Sequence, residues 1–133
     1  LSFNTLRIAI SSHMESLWTA TPLARIIHGD NRAPMDANTA PWVRLNHIVY
    51  SSNNAEIGTS FQRVRGAIVA QIFTTSNSGE KEASVIADDF VSVFQNKDFD
   101  GVTCYAVKIT RIGKRGDEYQ LNAEVDFKYD IFS

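Results

Sequence analysis

The sequence predicts an α+β domain in which two helices pack on one side of a largely antiparallel or mixed sheet, in the order helix, strand, strand, helix, strand, strand. Three observations carry this. Within residues 78–96, Ala83, Ile86, Ala87, Phe90, Val91, Val93 and Phe94 recur at spacings of three and four, which gathers them on one face of a helix. Within residues 119–130, Tyr119, Leu121, Ala123, Val125, Phe127 and Tyr129 alternate with Gln120, Asn122, Glu124, Asp126, Lys128 and Asp130, the period of a strand with one face in the core and one in water. Further runs of period two lie on both sides of the helix, so two hairpins should form one sheet with the helix across it.

Residues 4–18 come first. Leu6, Ile10, Met14 and Leu17 step by four, four and three, with Phe3 and Ala9 nearby and Arg7, Ser11 and Glu15 opposite, which predicts an amphipathic helix. Asn4 or Ser2 is the expected cap, and Pro22 ends the element because proline offers no amide hydrogen and restricts the residue before it. Residues 23–40 are rich in turn formers and have no sustained period, so a long loop is expected, with room for a short strand at 24–28.

In residues 41–50, PWVRLNHIVY, Val43, Leu45 and Val49 alternate with Arg44, Asn46 and Ile48, and Pro41 stands at the strand entrance where no ladder bond is lost. A polar connector at 51–60 leads to a second strand at 61–74. Val64, Gly66, Ile68, Ala70 and Ile72 share one face of that strand, while the other begins polar at Arg63 and Arg65 and becomes apolar by Val69 and Phe73. Gly66 inside it predicts a bulge or a close backbone approach. The helix at 78–96 follows, with Ser78 or Gly79 as cap and Glu80 and Glu82 at the positive end of its dipole. Residues 97–101 are expected to turn. Residues 102–111 form the third strand, with Thr103, Tyr105, Val107 and Ile109 opposite Val102, Cys104, Ala106 and Lys108, and residues 113–117 make the last turn.

A chain of 133 residues, 44% hydrophobic, fits one domain spanning 1–133 and should bury roughly two-thirds of its unfolded surface. With 13 basic and 15 acidic residues, a net charge of -2 gives no global attraction to nucleic acid or anionic membrane. The single cysteine, Cys104, excludes an intrachain disulfide framework and a thiolate zinc cluster. No apolar run approaches the roughly 20 residues that span a bilayer, and the beginning of the chain lacks the pattern of a secretory signal, so a soluble, non-exported protein is expected.

No constellation for catalysis, metal or cofactor emerges. His13, His28 and His47 are far apart and none pairs at helical ligand spacing. Asp98, Phe99, Asp100 and Gly101 start like a calcium loop, but the later oxygen ligands and the terminal glutamate are missing, which leaves a tight turn. Asp88 and Asp89 are adjacent on a helix and point apart, so they do not form an acid-base pair. Cys104 sits on an alternating strand and reads as a buried, inert thiol. Gly113 and Lys114 lack the remainder of a phosphate loop.

Two sets of basic residues remain as candidates. Lys108, Arg111, Lys114 and Arg115 gather around one hairpin turn, where they are either phosphate ligands or a solvated turn. Arg63 and Arg65 lie two apart on one strand face. With Arg44 of the neighbouring strand they are expected to project from the same end of the sheet, pairing with carboxylates of another subunit or of this chain.

This order of elements, with PWVRLN in the first strand, RVRGAIVAQIF in the second, the helix EKEASVIADDFVSVF and a last strand ending in VDFKYDIF, resembles the tail terminator proteins of long-tailed bacteriophages over nearly the whole chain. The resemblance implies a sheet flanked by helices and a homo-oligomer, a hexameric ring, at the head-proximal end of the tail tube. The ring would stop tube polymerisation and present the surface to which the head is joined. It implies the tail tube protein and a neck or head-completion protein as partners, DNA only passing through the lumen, no membrane, no cofactor and no enzymatic activity. The site implied is the virion tail, assembled in the host cytoplasm. The interface candidates Arg44, Arg63 and Arg65 come from the strand pattern and not from the resemblance. Two other readings stand beside it: another phage neck or tail-completion protein, and a small α+β nucleic-acid-binding domain using the basic hairpin.

Overall fold

The apolar faces of two helices and four long strands meet in one core. The computed structural model describes residues 3–17, 25–28, 42–54, 62–75, 79–115 and 118–131. The elements are α1 (Phe3–Leu17), β1 (Arg25–His28), β2 (Trp42–Asn54), β3 (Gln62–Thr75), α2 (Gly79–Phe94), β4 (Asp98–Phe99), β5 (Val102–Arg115) and β6 (Glu118–Ile131). They form an α+β fold whose sheet runs β1-β2-β3-β6-β5-β4. Neighbours are antiparallel from β2 through to β4, and β1 adds a short parallel strand at the other edge.

Helix α2 buries Ala83, Ile86, Ala87, Phe90, Val93 and Phe94, as its spacing requires, and lies across β6 and β3. Phe90 and Phe94 are fully buried with ring centroids 4.9 Å apart. Each contributes about 2–3 kcal/mol by leaving water. Helix α1 adds Leu6, Ala9, Ile10 and Met14 to the same core. Its ends differ from expectation. Asn4 lies inside the helix, where its side-chain oxygen accepts hydrogen bonds from Arg7 at 2.9 and 3.3 Å, and Phe3 and Leu17 are exposed. The Ser2 and Ser78 caps and the Pro22 stop lie outside the described residues, as does the expected 23–40 loop apart from β1.

Two short strands extend the expected order. Residues 25–28 form β1, in the place foreseen for a short strand. The turn expected at 97–101 contains β4, whose Asp98 and Phe99 pair with Thr103 and Val102 around Asp100 and Gly101. Both of these have positive φ, 45° and 86°, the backbone of a two-residue hairpin turn that Asp-Gly adopts readily. Upstream, Asn96 at φ 54° ends α2, with the Lys97 N–H donating to the Phe94 carbonyl at 3.3 Å.

β2 and β5 run longer than their alternation indicated, because bulges let each continue past a break in phase. The β2–β3 register slips between Val49 and Ser51, leaving Tyr50 extra. On β5 the register slips between Cys104 and Val107 and again between Arg111 and Gly113, so the strand passes the expected turn at 113 and reaches Arg115. The first β5 bulge also corrects the face assignment. Val107 and Ile109 join the side of Val102 and Cys104, and Lys108 moves to the opposite face. The Gln95 side-chain oxygen accepts the Val107 N–H at 3.1 Å, tying this bulge to the end of α2.

Gly66 fulfils the close-approach reading. A Cβ there would lie 2.0 Å from the Ile48 carbonyl oxygen, so only glycine lets β2 and β3 close beside the Tyr50 bulge.

Candidate interaction surface

The two helices cover one face of the sheet, so the candidate residues of β3 and β6 project from the other, outer face. The β3–β6 register sets Arg63 opposite Asp130, and Arg63 Nε donates to Asp130 Oδ1 at 2.9 Å. The hydrogen bond that Arg63 donates to Asp130, followed by the carboxylate's charge, raises the Arg63 pKa above its usual value. Arg63 therefore has an intrachain partner. Arg65 is exposed and directly opposite Lys128, a like-charge juxtaposition, with Asp126 and Asp130 flanking Lys128 on the same face of β6. Arg65 and Lys128 together offer an anion-accepting doublet.

Arg44 does not join them. Its ladder partner is Gln71, six residues beyond Arg65, which separates the two by about 20 Å along the sheet. The cause is the antiparallel hairpin itself: a residue early in β2 faces one late in β3, so arginines early in both strands lie at opposite ends. At its own end Arg44 stands over the Trp42 ring, 5.3 Å from the centroid. Trp42 in turn stacks on Phe73 with centroids 4.2 Å apart, buried on the outer face. That apolar end matches the change from polar to apolar read along the second strand.

The basic hairpin also divides. Lys108 faces Glu124 on the outer side, while Arg111 lies in the opposite phase and its guanidinium forms an ion pair with Glu80 at the start of α2. Lys114 is in register with Tyr119, and Arg115 with Glu118. The bulges distribute these cations over both faces, and three of the four have a carboxylate beside them or in register. They do not form one phosphate cradle.

Tyr50, the bulged residue, reaches across β3, and its hydroxyl donates to Glu124 at 2.9 Å. Beneath this bridge Ala67 is fully buried although it belongs to the outer face. The hydrogen bond to Glu124 is the main cause that raises the Tyr50 pKa above its usual value.

Sequence reasoning missed the sheet edges. On β2, β1 pairs only with the stretch from Trp42 to Leu45. On β5, β4 pairs only with Val102 and Thr103. Among the described residues no strand flanks the remainder of either, and both open stretches carry exposed apolar side chains: Ile48, Val49 and Tyr50 on β2, and Tyr105, Ile109 and Ile112 on β5. The one signal available was that Ile48 falls in the polar phase of its run.

The remaining chemistry-bearing groups have structural settings. His13 donates from Nε2 to the Val93 carbonyl at 2.7 Å and stacks on Phe99 with centroids 3.8 Å apart. Burial, followed by the charge of Asp98, pushes the Cys104 thiol up to about 12. Among the described residues no group of three His, Cys, Asp or Glu is placed to hold a metal, and no helix is long and apolar enough to cross a membrane.

No protein-family model matches this chain, and neither does any curated protein. Solved structures share its fold. One, whose name records no function, superposes with a TM-score of 0.75 at 9% identity, covering 100% of this chain and 99% of that one. A second is a chain of the virion of a native gene transfer agent particle, with a TM-score of 0.68 at 12% identity, covering 95% of each chain. At such identities the likeness is one of fold, and it runs along nearly the full length of both molecules.

Proposed function

We propose that this chain is a structural protein of a phage-type virion that assembles as a ring of six copies on the head-proximal end of the tail tube. There it stops tube polymerisation and presents the surface to which the head is joined. The observation that carries this is the fold shared over nearly its whole length with a chain of a gene transfer agent virion, a phage-like particle. The resemblance to tail terminators in the strand and helix motifs supports the same reading. The open sheet edges suit it as well, because a ring subunit needs two different surfaces for its two neighbours.

The mechanism is geometric and involves no catalysis. A head-to-tail contact that closes after six copies makes a finite object, whereas the same contact with an axial rise makes a filament. One ring face occupies the last tube ring and leaves no site for another tube subunit; the other receives the neck. Arg65, exposed, and Lys128, half-buried opposite it, are suited to take a carboxylate from such a partner.

The test is tube polymerisation with purified tail tube protein. Substoichiometric amounts of this chain should shorten the tubes and appear at one end of each. Tubes of unchanged length, with the chain absent from their ends, would contradict the role. Binding to neck protein without binding to tube would reassign it to the neck.

A further inference from the structure

The two open edges differ in charge. Between residues 46 and 54, β2 carries no Lys, Arg, Asp or Glu, while β5 carries Lys108, Arg111, Lys114 and Arg115. An unpaired strand edge presents backbone donors and acceptors that another strand can complete. Two β5 edges laid together would bring four cations against four, which like-charge repulsion disfavours. A neutral strand meets no such repulsion.

We propose that neighbouring copies of this chain join through their sheets, the open stretch of β5 in one copy pairing with the open stretch of β2 in the next. The direction of the joint follows from the sheet order. β2 and β5 run opposite ways within one copy, since three antiparallel steps separate them, so continuing the sheet into a second copy makes the new pairing antiparallel. The short strands fix where it occurs. β4 occupies the β5 edge at the level of Ser51 and Ser52, and β1 occupies the β2 edge at the level of Ile109 to Gly113. The blocked segments therefore lie at opposite ends of opposite edges. Sliding one copy along the strands by about four residues, about 14 Å, keeps outer face with outer face and brings the two open stretches together with β1 and β4 as end stops. Strands inclined to the ring axis accommodate such a stagger, as in closed barrels. At that register Val49 stands opposite Ile109, and Ile48 stands opposite Thr110 with Lys108 and Ile112 beside it, so exposed apolar surface is covered on both copies.

The joint rests on the ring reading, and the experiment separates the two. Ile48 is an exposed side chain on the outer face, so Ile48→Lys and Ile48→Glu should both leave the subunit folded, which the melting curve checks. Ile48→Lys places a cation against the basic β5 edge and should reduce assembly at least tenfold at the concentration where the wild type is half assembled. Ile48→Glu should assemble as well as the wild type or better, and Lys108→Glu should restore Ile48→Lys. A wild-type ring that Ile48→Lys forms equally well, or that both Ile48 variants lose equally, overturns the joint and leaves the ring. A wild type that remains monomeric both alone and on tube ends removes the ring and the joint together.

Discussion

Replacing Gly66 by alanine tests the most tightly specified contact in the sheet. The added Cβ would lie 2.0 Å from the Ile48 carbonyl oxygen, 3.0 Å from the Ile48 carbonyl carbon and 3.0 Å from Phe127 Cε1. Ordinary contact begins at 3.4 Å, so β2 and β3 must part by about 1.4 Å, the difference between the first distance and this limit. The obstruction is backbone, which no rotamer change relieves. Losing about two ladder hydrogen bonds at about 1 kcal/mol each, with another 1–2 kcal/mol of overpacking against the Phe127 ring, gives about 3–4 kcal/mol. At about 2.1 cal/mol/K of unfolding entropy per residue, that lowers the Tm of a 133-residue domain by about 10–15 °C. Gly113→Ala is the control. It has φ of 100° but nothing within 4 Å of its Cβ, so only the backbone conformation is penalised, by about 1 kcal/mol. Melting followed by circular dichroism reads both variants. If Gly66→Ala melts within about 3 °C of the wild type, the close approach of the two strands is wrong.

Other substitutions and conditions separate structural from assembly roles. Arg63→Glu faces Asp130 with a second carboxylate and should lower the Tm, whereas Arg65→Glu turns the like-charge pair with Lys128 into an opposite-charge one and should hold or slightly raise the Tm while weakening ring assembly or tube docking; equal melting of the two would undo this division. Cys104 should react with a thiol reagent at pH 8 about a thousand-fold more slowly in the folded protein than in urea, since its pKa of about 12 against 9.0 suppresses the thiolate by that factor. Because the raised pKa means that the folded state holds this proton longer, the associated stability is complete below pH 9.0 and is lost as pH rises toward about 12. Fast labelling under native conditions, or flat stability across that range, would contradict the burial.

Local periodicity made the helices and long strands legible. The three-and-four spacing of α2 and the alternation of β6 each name their buried face directly: Ala83, Ile86, Ala87, Phe90, Val93 and Phe94 are buried, with Val91 at the edge of that face only half-buried, and the six alternating residues from Tyr119 to Tyr129 are all buried. The bulges were not legible. An extra residue at 105–106 reverses the phase of β5 without altering its composition, so Val107 and Lys108 exchange faces. β4, only two residues long, is too short to carry a period, and its Asp100-Gly101 turn was the visible part. Strand order and register are tertiary facts, and from them come both the separation of Arg44 from Arg65 and the division of the basic hairpin. The same ignorance hid the open edges, because a free edge exists only when the neighbours of a strand are known.

A terminator role requires that copies of this chain close into a ring. Native mass across a concentration series, followed by particle images of the largest species, tests it directly. The expected result is a species of six subunits with a central opening, formed by the free protein or on the end of a tail tube. A chain that remains monomeric at every concentration and is absent from tube ends, or one that stops at a two-fold dimer, would contradict it.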